Sequence, residues 1–266
     1  WDEIRDTVYN SGSTFTYDDL TPAQISDWGV TAWYDCDEWG PQLRDKHSDN
    51  HLTGANYSTD YPVPAVPALL TAPAREYGTF DGTTHALAAT QNNTPPAVSG
   101  NFVAWFAAWV RTSTIAAGTS AIMSRHNGTA PNRGWSLYRD AATLNLLLSG
   151  NGTAQTVVTL ASAFVAGEWT FVMGYYDPVS AAIISVAKNS GSFTQTAHVS
   201  GLFNAAAPFC IGKTADSLNY WLGDIAFVAV GQTPSLTNTA IRDLLYNGGT
   251  PIAYADLTPT QKTNLG

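Results

Sequence analysis

Through the middle of the chain, apolar positions recur every second residue in short runs broken by Gly, Pro, Asn and Ser. That period marks β-strands joined by turns. The runs include "GNFVAWFAAWVRT", "SAIMSRHNG", "RGWSLYRD", "ATLNLLLSG", "TVVTLASAF", "EWTFVMGYYD", "AAIISVAKNSG", "APFCIGKT" and "YWLGDIAFVAVG". Strands at this spacing predict an antiparallel sandwich. In "FVAWFAAWV", Phe102, Ala104, Phe106, Ala108 and Val110 point one way, and Val103, Trp105, Ala107 and Trp109 the other. Both faces are apolar, so this strand is expected to be central and covered on its second face by a loop or neighbouring element.

At the two ends the period changes to that of short helices. Ile4 to Gly29 and Ile241 to Gly266 align without gaps and share 13 of 26 residues, at an offset of 237 positions. Ile4 and Val8, like Ile241 and Leu245, stand at i, i+4 spacing before an Asn-x-Gly stop, which predicts a short amphipathic helix. In "DLTPAQ" and "DLTPTQ", Thr21 or Thr258 can cap a second helix with Pro22 or Pro259 at its first position. A self-similarity of this period reads either as tandem domains or as one helical element duplicated to cap both ends of a sandwich. The expected organisation is a helical junction at residues 1–28, a β-sandwich at 29–237 and a second junction at 238–266 packing on the sandwich. Ile4, Val8, Tyr9, Ile241, Leu245 and Tyr246 are the candidate assembly residues. The chain starts at Trp1 with no signal peptide, which suggests a piece of a longer or processed polypeptide.

Composition narrows the partners. A chain of 266 residues with 44% hydrophobic residues can bury one large core. A net charge of -9 repels a nucleic-acid backbone and an anionic membrane. No apolar run approaches the roughly 20 residues needed to span a bilayer. Only 12% of residues are charged, which together with the Gly, Ser, Thr and Asn content suits an extracellular β-protein.

The order "YGTFDGTTHAL", "FVAWFAAWVRT", "GEWTFVMGYYDPVSAAIISVAKNSG", "PFCIGKT", "YWLGDIAFVAVGQTPSLTNTAIRDLLYNGG" resembles the laminin G-like, concanavalin A-like jelly-roll superfamily. The upstream "VTAWYDCDEWGPQLRDKHSDNHLTGAN" is similar to the opening strand and turn of such domains, so the resemblance covers about residues 29 to 250. It implies an all-β, two-sheet antiparallel jelly-roll sandwich with short helical segments at both termini. The superfamily contains lectins, adhesion modules, virion components and glycoside hydrolases, so the site must decide the function.

Hydrolysis needs two carboxylates facing the scissile bond. Laminarinase-like members supply them as Glu-x-Asp-x-Glu on one strand, a pattern missing from this chain. Of Asp35, Asp37 and Glu38 only the first two share a strand face, and Glu168, Asp140 and Asp224 stand singly. His47 and His51 are the only histidines of His47, His51, His85, His126 and His198 with ligand-like spacing, and they fall in a turn-rich stretch. "IGKT" lacks the first glycine of a phosphate loop, which is Ala207 here. The chain reads as non-enzymatic.

Glycan binding is the better-supported chemistry, because sugar C–H faces stack on aromatic rings beside carboxamide or carboxylate groups. The candidates are Trp39, Trp135, Tyr138, Asp216, Asn219, Tyr220 and Trp221, with the "ADSLNYW" cluster foremost. Calcium, which the resemblance implies for some members, has candidate ligands in Asp45, Asp49 and Asp81, each also an ordinary turn residue. Cys36 and Cys210 read either as a disulfide or as two buried thiols. Sequons stand at Asn56, Asn92, Asn127 and Asn151. Two functional expectations follow. The first is an extracellular, cell-surface or virion structural and adhesive module that assembles with copies of itself or neighbouring modules through its ends. The second is a lectin-like module.

Overall fold

"AWFAAWVRT" forms the strand around which the molecule is built, Ala104–Thr112. Its first seven residues are buried on both faces, as the doubly apolar pattern predicts. The computed structural model describes residues 42–43 and 52–55, by their strand pairing alone, together with 77–89 and 102–266. The strands in chain order are β1 (Gln42–Leu43), β2 (Leu52–Ala55), β3 (Gly78–Asp81), β4 (Ala86–Ala89), β5 (Ala104–Thr112), β6 (Thr119–Arg125), β7 (Trp135–Asp140), β8 (Thr143–Leu148), β9 (Thr156–Leu160), β10 (Trp169–Asp177), β11 (Ile183–Lys188), β12 (Thr194–Ala197), β13 (Cys210–Ile211) and β14 (Leu222–Gln232).

They form two antiparallel sheets, of order β1-β2-β4-β13-β6-β7-β8-β9 and β12-β11-β10-β5-β14-β3. This is the two-sheet jelly-roll sandwich. Neighbouring strands such as β7 and β8 join by a tight turn, whereas β13 inserts between β4 and β6 from far along the chain. The core between the sheets takes Phe106, Ala108 and Val110 from β5, Val172 and Tyr176 from β10, and Trp135, Leu137, Leu144 and Leu146 from the opposite sheet. β12, "TQTA", is exposed at every position and so carries no apolar alternation. Pairing with β11 at the sheet edge makes it a strand.

The six-stranded sheet buries its second face as well. On that face Trp105, Ala107 and Trp109 of β5 stand directly opposite Tyr175, Met173 and Phe171 of β10. The face is covered by α1 (Asn238–Tyr246) and α2 (Pro259–Leu265), which contribute Ile241, Leu245 and Leu265. Thr237 caps α1 by accepting from the Ala240 amide, and Thr258 with Gln261 forms a reciprocal capping box on α2. Each fully buried Ile or Leu here contributes roughly 1.5–3 kcal/mol. The burial corrects one expectation. Ile241 and Leu245 are fully buried and Tyr246 stacks on Trp109 at 5.8 Å, so these three are internal packing residues, not an exposed assembly surface. Ile4, Val8 and Tyr9, with the rest of residues 1–28, lie outside the described residues.

Candidate functional site

The β13–β14 connection, residues 212–221, is built from a sequence with two left-handed non-glycine residues, Ser217 at φ 59° and Asn219 at φ 54°. Such residues cost about 1 kcal/mol or more each and persist only where the surroundings hold them. Here the frame is a ring of main-chain bonds. The Trp221 amide donates to the Gly212 carbonyl at 2.8 Å, the Thr214 amide to Leu218 at 3.0 Å and the Ser217 amide to Thr214 at 3.1 Å. From outside the loop, the Ala121 amide donates to Asn219 at 2.8 Å, while the Ala215 amide donates to His126 at 2.9 Å. At Gly212, φ is +79° and a Cβ would strike the Phe80 ring, so only glycine fits this corner.

The frame fixes a small polar cluster. Asp216 accepts from the Gly128 amide at 2.9 Å through Oδ2 and from the Thr214 hydroxyl at 2.5 Å through Oδ1. Lys213 holds its ammonium 5.9 Å from the centroid of the half-buried Tyr220 ring and donates to Ser217 Oγ at 3.3 Å. Leu218, at the loop tip, is 58% exposed. Two more loops close around the cluster. Arg133 donates from Nε to the Gly128 carbonyl at 3.0 Å and from Nη1 to the Thr153 carbonyl at 2.9 Å. His126 is buried among these loops, and burial holds its pKa below the ordinary histidine value, with Asp216 opposing and Arg133 adding to the shift. Its imidazole is therefore neutral at neutral pH. A ring face, a carboxylate with fixed orientation and an ammonium on adjoining surface form a chemistry suited to a polyol: C–H groups on the ring and hydroxyls on the charged groups.

Of the residues singled out in the sequence, Asp216, Asn219 and Tyr220 share this loop. Tyr138 stands one strand away, opposite Ala121 on β6, whose amide bonds Asn219. Its phenol pKa is raised by burial first and by Asp140 second. Trp135 and Trp221 are corrections. Both are fully buried: Trp135 packs on Phe106 at 4.3 Å and Trp221 meets Phe164 at 6.2 Å, so neither ring is open to a sugar. Trp39 lies outside the described residues.

The other candidates are also placed. Asp81 accepts from the amides of Thr83, Thr84 and His85 and from both threonine hydroxyls. Desolvation raises its pKa, but these bonds outweigh it and hold the carboxyl far below the usual range. Five donors aimed at one carboxylate describe a turn closure, not a cation site. Asp45 and Asp49 lie outside the described residues. Cys210 is a buried free thiol, its pKa pushed up to about 12 by burial, and Cys36 lies outside the described residues. Asn127 and Asn151 accept main-chain bonds from Thr129 and Thr153 as turn residues, while Asn56 and Asn92 are outside the described residues. Lys213, Gly128 and Leu218 were not singled out beforehand. Lys213 stands in "GKT", Gly128 in the turn-like "NGT" and Leu218 as an isolated Leu among polar residues, and none of these signals is specific.

A family model described as Laminin_G_3, of the concanavalin A-like lectin/glucanases superfamily, matches residues 81–241. The chain belongs to this superfamily. No curated protein matches it. Among solved structures, it is similar to the binding domain of botulinum neurotoxin DC in complex with rat synaptotagmin II. That match has 12% identity and a TM-score of 0.56, covering 83% of this chain and 52% of the other. It is also similar to botulinum neurotoxin type C, from a structure concerned with interaction with two ganglioside molecules, at 15% identity and TM-score 0.55, covering 84% and 52%. A further match is the CBM40 of Ruminococcus gnavus IT-sialidase bound to α2,3-sialyllactose, at 14% identity and TM-score 0.46, covering 58% and 90%. This superfamily member spans about half the length of the two toxin chains, and at such identities the likeness is one of fold. No helix among the described residues is long and apolar enough to cross a membrane.

Proposed function

We propose that this protein is a non-enzymatic, extracellular adhesive module of lectin type that contacts carbohydrate through the 212–221 loop. The observation that carries the reading is the locked loop itself, in which Asp216 is tied to Gly128 and Lys213 stands over Tyr220 while Leu218 and Asn219 remain exposed. A strained, rigidly framed surface loop bearing a ring and two opposite charges is a pre-organised contact site. Membership of a superfamily rich in lectins, and likeness to a toxin binding domain and to a toxin studied with gangliosides, favour the same class.

Hydrolysis has less support. Asp224 is bridged to Arg111 at 2.7 Å, and the chain carries no Glu-x-Asp-x-Glu run that would set two acids on one strand face.

A glycan array followed by calorimetry on the strongest hit tests the proposal. Tyr220→Ala is expected to weaken binding about tenfold, equal to about 1.4 kcal/mol, and Asp216→Ala by at least as much. An array with no hit, or a hit unaffected by both substitutions, overturns it.

A further inference from the structure

The two ends of the chain carry one motif, and the structure shows what the C-terminal copy does with it. Ile241, Leu245, Leu257 and Leu265 are buried against the outer face of the six-stranded sheet, with Tyr246, Ile252 and Tyr254 packed beside them. At these seven positions the N-terminal copy carries Ile4, Val8, Leu20, Trp28, Tyr9, Phe15 and Tyr17, all apolar or aromatic. The polar devices that shape the segment recur too. Thr258 and Gln261 of the capping box correspond to Thr21 and Gln24. Arg242 and Asp243, which bond to each other, correspond to Arg5 and Asp6.

The backbone signature is more exacting. Asn247 caps α1 in the left-handed region at φ 46°, and its counterpart is Asn10. Gly266 has φ +85° and lies so close to β14 that a Cβ would collide with the Gln232 carbonyl; its counterpart is Gly29. The departures are Gly248 at φ +65°, matched by Ser11 at a place where a Cβ meets nothing within 4 Å, Leu244, which packs on the same cluster and is matched by Thr7, and the buried Pro251, matched by Thr14. The buried apolar positions of the two helices, the capping box, and the left-handed Asn and C-terminal Gly all recur, and the buried lysine, Lys262, is replaced by the apolar Ile25, as expected of a segment that docks in the same way.

In this sandwich the receiving face is already filled by residues 241–266. We infer that residues 4–29 are a docking segment for the equivalent face of a second concanavalin A-like sandwich, where they take the place that residues 241–266 take here. The partner is a sheet face carrying large aromatics in the positions of Trp105, Trp109, Phe171 and Tyr175. The contact is a covering of apolar surface by a pair of capped helices and does not involve the 212–221 loop, so it stands or falls apart from glycan binding.

A graft tests the inference in the full chain. Residues 241–266 are replaced by the sequence of residues 4–29, and thermal unfolding is compared with that of the parent and of the same graft carrying Leu20→Asp. The expected result is cooperative unfolding within about 5 °C of the parent for the graft and a loss of more than about 10 °C on adding Leu20→Asp. A graft that melts as low as its Leu20→Asp form overturns the inference, because the segment then does not dock on this face. A second arm covers failure of the graft to express: a photo-crosslinking peptide of residues 1–29 is incubated with full-length Leu245→Asp protein. Attachment to β5 and β10 outer-face residues, competed by a peptide of residues 238–266, is expected. No attachment, or attachment elsewhere, overturns it.

Discussion

The indole N–H of Trp105, on β5, donates to the carbonyl of Leu265, in the last turn of α2, at 2.8 Å. One hydrogen bond thus joins residues 160 positions apart and closes the helical cover over the sheet. Gly231 of β14 makes room for that indole, since a Cβ there would collide with the ring.

Trp105→Phe keeps most of the apolar area but leaves the Leu265 carbonyl without this donor. It is expected to cost about 1–2 kcal/mol in urea unfolding. Gly231→Ala, which pushes the indole out of place, is expected to cost at least as much. Equal stability of both variants with the parent would show that the helical cover does not depend on this junction.

Four strands are crossed by one polar and aromatic row. Trp169 lies opposite Arg111, Arg111 opposite Asp224 and Asp224 opposite Thr79. Arg111 donates to Asp224 at 2.7 Å, and its guanidinium also lies 5.1 Å from the Trp169 ring and 5.4 Å from the Tyr77 ring. Thr79 adds a bond to the other Asp224 oxygen at 2.8 Å. Arg111→Met leaves a mostly buried carboxylate without its cation and is expected to destabilise by about 2–4 kcal/mol. The double variant Arg111→Met, Asp224→Asn should recover part of that loss. A double-mutant cycle with no coupling would overturn the account.

Lys262 is buried beside Tyr254, its ammonium 4.3 Å from the ring centroid, and burial lowers its pKa to about 8 despite the opposing charge of Asp256. The unfolded chain, with an ordinary lysine pKa of 10.5, binds this proton more tightly than the folded one between about pH 8 and 10.5. Stability therefore rises with pH across that window. Tyr254 acts in the opposite sense. Burial raises its pKa, so its stabilising share is complete below an unfolded value near 10 and is lost above it. The net rise is expected between about pH 8 and 10. Lys262→Ile, the residue found at the matching position Ile25, should flatten the rise and stabilise by about 1 kcal/mol at pH 7. Denaturant titrations at stepped pH check both.

The Cys210 thiol is fully buried on β13 and its pKa is pushed up to about 12 by burial first, with Asp216 adding and Lys213 opposing. Little thiolate exists at pH 8, so iodoacetamide is expected to leave Cys210 unmodified in native protein and to label it in urea. Native labelling read by peptide mass spectrometry would contradict the burial.

Much of this was legible along the chain. The doubly apolar "FVAWFAAWV" announced a strand covered on both sides, and β5 is that strand. Thr258 and Pro259 announced the start of α2, where a capping box forms. These features were readable because period and capping are local properties of a few consecutive residues. β12 was not legible, since "TQTA" is held by its neighbour β11 and not by any pattern of its own.

The candidate site was legible only in part. Asp216, Asn219 and Tyr220 stood out as a cluster, but Trp221, their immediate neighbour, turned inward to Phe164. An aromatic residue in a turn-rich stretch carries no local mark of which side of the sheet it will face. The left-handed Ser217 and Asn219 were equally silent, because their conformation is imposed by bonds from Ala121 on β6 and from within the loop.

The sequence by itself determined the strand periods and the helix caps, since each depends on residues within a turn or two of one another, and the repeated terminal motif, which is a direct comparison of two stretches of the chain. The tertiary structure alone decided that Ile241 and Leu245 are spent on the sheet's second face, that Trp135 and Trp221 lie in the core, and that Gly128 meets Asp216 across 88 positions. Those outcomes come from long-range strand order, which brings distant loops together and chooses which apolar faces find cover.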